Sequence, residues 1–359
     1  MILGFGMMRL PFKEDWTDVD LEKTKKLVDE YMKYGKPYID TGYTYHNGAS
    51  EDAIGELISK RYDRGKFLLC DKLPIYDTKT MKKYTCDEIF QMQLDKCGVD
   101  YFDFYFLHAL GKNSYSKTYF KFLNGVKERG LAEHIGFSYH DTPEFLDKVL
   151  TEHPEMEYVQ LQLNVVDWED SFYRAKECYE VAKSHGKKII IMEPLKGQFF
   201  KKSKNPLFKE KHDFAELAFR FLGELDNVEI ILSGMEKLTH IRKNIKLFNN
   251  GLKPLTKEEW KIIKKIMDFS KENKEMLCTG CGYCLKACPQ GIDIPKFMLW
   301  DTKQKKYGLN GDLLLAGRNI ARRNQVCILC KKCESVCPQK LMIQETVRNS
   351  QDKIWESEL

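Results

Sequence analysis

The chain has 359 residues, with 58 Lys and Arg against 53 Asp and Glu, a net charge of +5. So small an excess, spread over many lysines, offers no basic stripe to nucleic acid, and no such partner is expected. No apolar run approaches the roughly 18 residues of a membrane span, and MILGFGMMRLPF lacks the basic region and long apolar core of a secretory signal, so no membrane role and a reducing cytoplasm are expected.

In chain order, short apolar runs alternate with amphipathic stretches. Strands are predicted at Ile2–Met7, Tyr38–Thr41, Phe67–Lys72, Asp103–His108, Ile135–Tyr139, Tyr158–Asn164, Lys188–Glu193 and Glu229–Gly234. Helices are predicted near 19–34, 51–62, 86–97, 117–129, 143–151, 171–185, 213–223 and 237–247. Strict alternation argues a parallel sheet with crossover helices. Eight units in about 250 residues argue an α/β TIM (β/α)8 barrel over residues 1–252. A doubly wound open sheet is the rival, weakened because no GxGxxG follows an early strand.

Residues 253–275 read as a linker helix, with Thr256 and Glu259 in capping-box spacing. Residues 276–345 read as a small α-helical two-cluster ferredoxin-like domain, with helices near 295–306 and 311–323. Residues 346–359 read as a polar, frayed tail.

The cysteines carry the sharpest signal. Cys278-x2-Cys281-x2-Cys284-x3-Cys288-Pro289 recurs as Cys327-x2-Cys330-x2-Cys333-x3-Cys337-Pro338, an internal duplication. Three thiolates on one tight loop suit three irons of a cubane, and the fourth cysteine of each run ligates the cluster of the other. The expected metal ligands are therefore Cys278, Cys281, Cys284 and Cys337 for one [4Fe–4S] cluster, and Cys327, Cys330, Cys333 and Cys288 for a second. Zinc would need only four ligands, often with His, and neither run contains His. Cys70, Cys86, Cys97 and Cys178 are scattered and read as small buried hydrophobes.

Barrel active sites lie at the carboxyl ends of the strands. There stand Asp40, Lys72 and His108, with Tyr45 in the loop after the second strand. Each alone has a bland reading as a cap, a counter-charge or a core group. Together they place an acid, a phenol, an amine and an imidazole in one bowl.

With the segments GFGMMRLP at 4–11, YIDTGYTYHNGASEDAIGELI at 38–58, CDKLP at 70–74, DFYFLH at 103–108, IGFSYH at 135–140, VQLQLN at 159–164, MEPLKG at 192–197 and ILSGM at 231–235, the chain resembles the aldo-keto reductase superfamily over roughly residues 1–250. With the cysteine runs attached, it resembles the ferredoxin-fused branch. The resemblance implies a catalytic tetrad of Asp40, Tyr45, Lys72 and His108. A phenol gives up its proton poorly near neutrality, its pKa being about 10; an adjacent ammonium favours the phenolate. Tyr45 is thus the expected proton donor in carbonyl reduction and acceptor in alcohol oxidation. Lys72 is the expected ammonium, Asp40 its counter-charge, and His108 orients the substrate oxygen.

The resemblance also implies a nicotinamide cofactor, NADP(H) or NAD(H). Ser138 and Gln160 are expected at the carboxamide. Met192, Leu195 and Gly197 are expected along the ring and pyrophosphate, and Ser233, Gly234, Met235, His240 and Asn244 at the adenosine end. Met192 stands where relatives often have a stacking tyrosine. Gly234 and His240 stand where Lys and Arg often hold the 2′-phosphate, so selectivity between the two cofactors is open. Lys237, Arg242, or the basic loop Lys196–Lys211 with Lys201, Lys202, Lys204 and Lys209 are the substitutes on offer. That loop also reads as a solvated surface or a dock for an acidic carrier.

Hydride carries two electrons and a cubane cluster passes one. Flavins commonly convert between them; no short flavin motif occurs, though a barrel binds flavin without one. Three readings follow. The protein couples carbonyl or alcohol chemistry through its clusters to an external one-electron carrier such as ferredoxin or flavodoxin. Alternatively, it is an ordinary reductase whose clusters are structural, docking or redox-sensing. As a third reading, it is an electron-transfer or interaction protein whose barrel has lost hydride transfer. Loop aromatics Phe12, Trp16, Tyr115, Phe199 and Phe200 suit an apolar carbonyl compound or pack a lid.

Overall fold

Eight strands form the centre of the first unit: β1 (Ile2–Gly6), β2 (Tyr38–Asp40), β3 (Leu68–Leu73), β4 (Phe102–Leu110), β5 (Ala132–Tyr139), β6 (Tyr158–Gln162), β7 (Lys188–Met192) and β8 (Val228–Ser233). Each pairs in parallel with its chain neighbours, and β1 pairs with β8, closing a barrel. This is the computed structural model of the chain, and it describes residues 1–13, 16–35, 37–171, 173–197, 213–272, 278–307, 309, 311–321 and 325–357. Two units separate by packing, Met1–Lys274 and Glu275–Leu359. Among the described residues no helix is long and apolar enough to cross a membrane.

All eight predicted strands are present, with ends shifted by up to three residues. The helices between them are α1 (Leu21–Tyr31), α2 (Ala49–Ile54), α3 (Thr78–Lys83), α4 (Cys86–Cys97), α5 (Lys117–Glu128), α6 (Pro143–Glu152), α7 (Ala175–Ser184), α8 (Phe214–Gly223) and α9 (Leu238–Asn249). Their starts follow local chemistry. Asp20, Asp77, Thr85, Ser116, Thr142 and Asp213 each accept a backbone N–H of the first turn, and Thr85 with Glu88 completes a capping box.

Alternation along the strands sets the layers. Tyr38, Cys70, Phe104, Phe106, Tyr158, Ile190, Ile230 and Leu232 pack as one buried cluster inside the barrel. Two residues further along β2, β3, β4, β6 and β7, on the same face, stand Asp40, Lys72, His108, Gln160 and Met192. The apolar plug is thus the floor on which the polar layer rests.

The helix α10 (Lys257–Glu272) closes the first unit. Thr256 and Glu259 form the expected reciprocal cap, with Thr256 N donating at 2.7 Å and Glu259 N donating back at 3.3 Å. Glu259 also takes both ends of the Arg220 guanidinium from α8, at 2.6 and 2.8 Å, and Trp260 meets Phe221 edge-on at 5.7 Å. This helix is therefore packed as part of the barrel unit.

The second unit is helical: α11 (Tyr283–Ala287), α12 (Ile294–Tyr307), α13 (Gly311–Ile320), α14 (Lys332–Ser335) and α15 (Ile343–Glu356). Here the structure corrects the reading of residues 346–359 as a frayed tail. Residues 346–356 are helical, and Ile343, Val347, Ser350, Gln351 and Ile354 are buried. The polar members of that stripe misled: Gln351 is buried because its amide donates to the Gln325 carbonyl at 2.8 Å and accepts from Cys327 N at 3.0 Å. The core of the unit joins Phe297, Trp300, Leu314, Val347 and Ile354 to the thiols of Cys284, Cys333 and Cys337.

Candidate active site and cysteine cavities

Asp40 ends β2 and Lys72 lies on the neighbouring β3. Lys72 Nζ donates to Asp40 Oδ1 at 2.8 Å and to the Thr41 carbonyl, with the two side chains 0% and 2% exposed. Burial alone would favour a neutral amine. The Asp40 carboxylate, helped by Tyr45, outweighs it and holds the Lys72 pKa above its ordinary value. Burial pushes the Asp40 carboxyl up while Lys72 pulls it back.

Tyr45 comes from the loop after β2, where His46, Asn47 and Gly48 all take left-handed backbone angles (φ 50°, 58° and 95°). Such angles in two non-glycine residues cost on the order of 1 kcal/mol or more each. His46 anchors the turn: it is fully buried, accepts Leu10 N at Nε2 (3.1 Å), bonds the Trp16 carbonyl through Nδ1, and stacks on Trp16 at 4.9 Å. These contacts hold the strained turn that carries Tyr45. Its ring lies 5.3 Å from Lys72 Nζ and meets the His108 imidazole edge-on at 5.5 Å.

His108 stands one residue before Ala109, whose φ of 55° bulges β4 out of register with β5. The Ala109 N–H donates to Ser138 Oγ at 2.7 Å, tying the bulge to β5. Burial first, then the charges of Lys72 and His140, push His108 well below its ordinary pKa, so the imidazole is neutral at pH 7. Tyr76 packs edge-on against it at 5.2 Å and reaches Thr44 Oγ1 at 2.5 Å. The sequence reading missed Tyr76, which carries no spacing signal. The four expected tetrad residues are thus brought together.

The residues expected at the cofactor fall into three groups. Gln160 is 1% exposed; its Nε2 donates to Asp40 Oδ2 at 3.5 Å, while its Oε1 is buried with no hydrogen-bond partner. That acceptor is left open to an incoming N–H donor, and Ser138 lies across the β5–β6 pairing from it. Met192 ends β7 and packs against the barrel interior. Ser233, at the end of β8, accepts from Asn244 Nδ2 of α9 at 3.2 Å, and Met235 is fully buried. Gly234 is exposed and His240 half-buried.

Arg9, not expected at the cofactor, lies against Gly234: a Cβ there would come within 2.9 Å of its Cδ. Arg9 also pairs with Glu193 at 2.6 Å, and the same carboxylate accepts Gly197 N at 2.8 Å, bracing the turn that contains Leu195. Its only sequence signal is the Arg in GFGMMRLP. Arg242, offered as a phosphate ligand, is paired with Glu30 at 2.8 Å on the surface. Lys196 is no solvated loop residue either. It is 5% exposed, paired with Asp167, and over the Tyr173 ring at 4.1 Å. Residues 198–212, with Lys201, Lys202, Lys204, Lys209, Phe199 and Phe200, lie outside the described residues. Tyr115 packs on Phe120 and Phe145 and bonds Glu152 and His153.

In the second unit, one cavity is lined by Cys278, Cys281, Cys284 and Cys337, and another by Cys327, Cys330, Cys333 and Cys288. Each wall thus draws three thiols from one run and the fourth from the other. Burial pushes the thiols of Cys284 and Cys337 up, and that of Cys333 up to about 12. Such thiols become thiolates only beside positive charge, which iron supplies. The chemistry and grouping of these donors fit two clusters.

The Aldo/keto reductase family model matches residues 2–214, and the 4Fe-4S dicluster domain model matches residues 277–341. Among solved structures, the fold is similar to aldo-keto reductase AKR11C1 from Bacillus halodurans in its holo form (TM-score 0.60, 20% identity, 74% of this chain and 91% of that one). It is also similar to the aldo-keto reductase from Klebsiella pneumoniae in complex with NADPH (TM-score 0.57, 18% identity, 74% and 90%). Two curated proteins share a shorter stretch. They are the acetyl-CoA decarbonylase/synthase complex subunits alpha 1 of Methanosarcina mazei and Methanosarcina barkeri, each 32% identical, over 77 and 81 residues. Those stretches span 21% and 23% of this chain and only 8% and 9% of the subunits. The chain belongs to the aldo/keto reductase family, and it is an oxidoreductase whose barrel is joined to a 4Fe-4S dicluster domain.

Proposed function

We propose that the barrel reduces a carbonyl compound, or oxidises the matching alcohol, with a nicotinamide cofactor. Two [4Fe–4S] clusters exchange single electrons with an external carrier. The observation that carries the barrel reading is the buried Lys72–Asp40 pair set beside the Tyr45 ring, with His108 meeting the same ring edge-on.

In this reading the cofactor, when bound, supplies or takes the hydride, and the clusters supply or take single electrons. The protein does the rest. Tyr45 Oη holds the proton that the developing alkoxide needs, and Lys72 stabilises the phenolate left behind. Asp40 keeps Lys72 charged and in place. His108, being neutral, hydrogen-bonds the substrate oxygen without competing for the proton. Gln160 Oε1 accepts the carboxamide N–H, which orients the ring over the bowl. Arg9, which lies against Gly234 and is shared with Glu193, supplies a cation at the expected adenosine end that suits the 2′-phosphate of NADP(H).

Tyr45→Phe tests the assignment. The variant should lose carbonyl reduction by at least a hundredfold, in line with the ~10²–10⁴-fold worth of a general acid, while binding NADPH as the unaltered protein does. Retained turnover would overturn it. A second reading, in which the clusters serve the fold, draws on Cys284, Cys333 and Cys337 lying in the core of their unit. Anaerobic absorbance separates the two: bleaching of the clusters by substrate alcohol plus NADP⁺, or by NADPH alone, supports coupling. Bleaching by dithionite only supports the structural role, and a flavin spectrum would supply the missing converter.

A further inference from the structure

The two cysteine loops share a backbone but not a surface. In the first, Gly280 and Gly282 take left-handed angles (φ 73° and 80°). In the second, Leu329 and Lys331 occupy the corresponding positions with the same hand (φ 53° and 59°). Glycine adopts this conformation freely, whereas a residue with a Cβ is destabilised by roughly 1–2 kcal/mol. A leucine and a lysine therefore stand where glycine serves the ligand loop at no such cost.

Burial of those side chains does not offset the strain. Leu329 is 53% exposed and Ile328 57%, and Lys331 and Lys332 are also exposed. In the first loop the counterparts of Ile328 and Lys332, Thr279 and Tyr283, are each 8% exposed, and those of Leu329 and Lys331 are glycines with no side chain to present. The ligands follow the same asymmetry, with Cys330 exposed and Cys281 half-buried. The acidic neighbour Glu334 is committed elsewhere, its Oε1 accepting Gln344 N at 3.0 Å. The second loop thus offers solvent an apolar pair followed by two lysines, beside the most exposed thiol of the eight. The left-handed backbone serves the ligand loop in both runs; what sets the second apart is its surface, where exposed apolar and basic side chains stand in place of glycine.

We propose that Ile328–Lys332 is the docking face on which a small acidic one-electron carrier protein exchanges electrons with the cluster held by Cys327, Cys330, Cys333 and Cys288. The inference rests on the coupled reading above and adds to it the port and the partner's charge. Ile328 and Leu329 form the dry centre of the contact, and Lys331 and Lys332 steer an acidic surface onto it. Each docking event moves one electron: the carrier is oxidised by one, the cluster is reduced by one, and no atom changes hands. The reverse event balances in the same way, and two events match one hydride.

The experiment uses the full chain with both clusters loaded and a purified acidic flavodoxin as carrier. Stopped-flow absorbance follows cluster reduction by flavodoxin hydroquinone, and isothermal titration gives the affinity for oxidised flavodoxin. Lys331→Glu/Lys332→Glu should lower both the second-order rate and the affinity about tenfold at low salt, with the difference vanishing at high salt. Ile328→Ser/Leu329→Ser should weaken binding at all salt concentrations. Iron content and the rate of reduction by dithionite should stay unchanged in both. Normal flavodoxin kinetics and affinity in both variants would overturn the port and leave the coupled reading standing. A wild-type protein reduced by dithionite but not by flavodoxin would overturn both. Self-association that the Ile328→Ser/Leu329→Ser variant abolishes would assign the face to a second copy of the chain and overturn the carrier proposal.

Discussion

Lys72 Nζ lies 2.8 Å from Asp40 Oδ1, and neither side chain reaches solvent. The pair sits on adjacent strands directly above the apolar plug, so its attraction acts at low dielectric and its loss has no water to soften it.

Asp40→Asn should therefore destabilise the barrel by about 3–5 kcal/mol, the usual cost of stranding one member of a buried pair. Lys72→Met should do the same. The double variant should recover much of that loss, because no unpaired charge remains, while staying inactive. Urea denaturation of the three variants measures the coupling, and simple additivity would argue that the pair is weak.

Acid and alkaline stability should depend on different groups. Burial lowers the pKa of His108 and of His46, so below about pH 6.5 the unfolded chain takes up protons that the native state refuses. Their contribution is intact above that pH and is lost as the pH falls through it. Burial raises Glu51 to about 7 against the pull of Lys96. Its contribution is intact below its unfolded value near ~4.3 and is lost as the pH rises through about 7. Melting temperatures from pH 5 to 8 should show His108→Gln flattening the acid limb and Glu51→Gln the alkaline one.

Gly42 controls the fit of His108. A Cβ there would lie 3.0 Å from His108 Cε1 and 3.5 Å from Tyr45 Cε1. Gly42→Ala should displace the imidazole by a few tenths of an ångström and lower kcat about tenfold or more, since small misplacements of reacting groups are costly. Its melting temperature should move little. Steady-state kinetics beside a melting curve separate the two effects.

Iron removal should act on one unit. The thiols of Cys284, Cys333 and Cys337 lie in the core of residues 275–359, whereas the barrel contains none of the eight ligands. Anaerobic chelation should melt the helices of the second unit and leave the barrel's transition in place. Calorimetry before and after chelation reads this as the loss of one transition, and cooperative loss of both would contradict it.

Much of this protein is legible in one dimension because its signals are local. Eight short apolar runs alternating with amphipathic helices prescribe the barrel. The two cysteine runs specify their chemistry by spacing alone. Asp40, Tyr45, Lys72 and His108 are visible because the end of a barrel strand is itself a sequence position. Where partners are distant, the reading fails. Arg9 meets Glu193 across 184 residues, and Tyr76 reaches His108 from another loop. Lys196 looks like one more surface lysine until Asp167 is found beneath it. The last helix was hidden because Gln351, polar by type, is buried by two hydrogen bonds to residues 24 and 26 positions earlier in the chain.

By itself, then, the sequence determined the barrel, the helical cluster unit and the chemical types at each site, since periodicity and spacing act within a turn or a strand. Only the tertiary structure decided which strand ends face one another and that burial lowers the pKa of His108. It alone placed Arg9 on Gly234 and left Cys330 and its neighbours Ile328 and Leu329 exposed where Thr279 and Tyr283 of the first loop are buried. Those outcomes depend on burial and on the field of neighbours, which arise only when remote segments pack together.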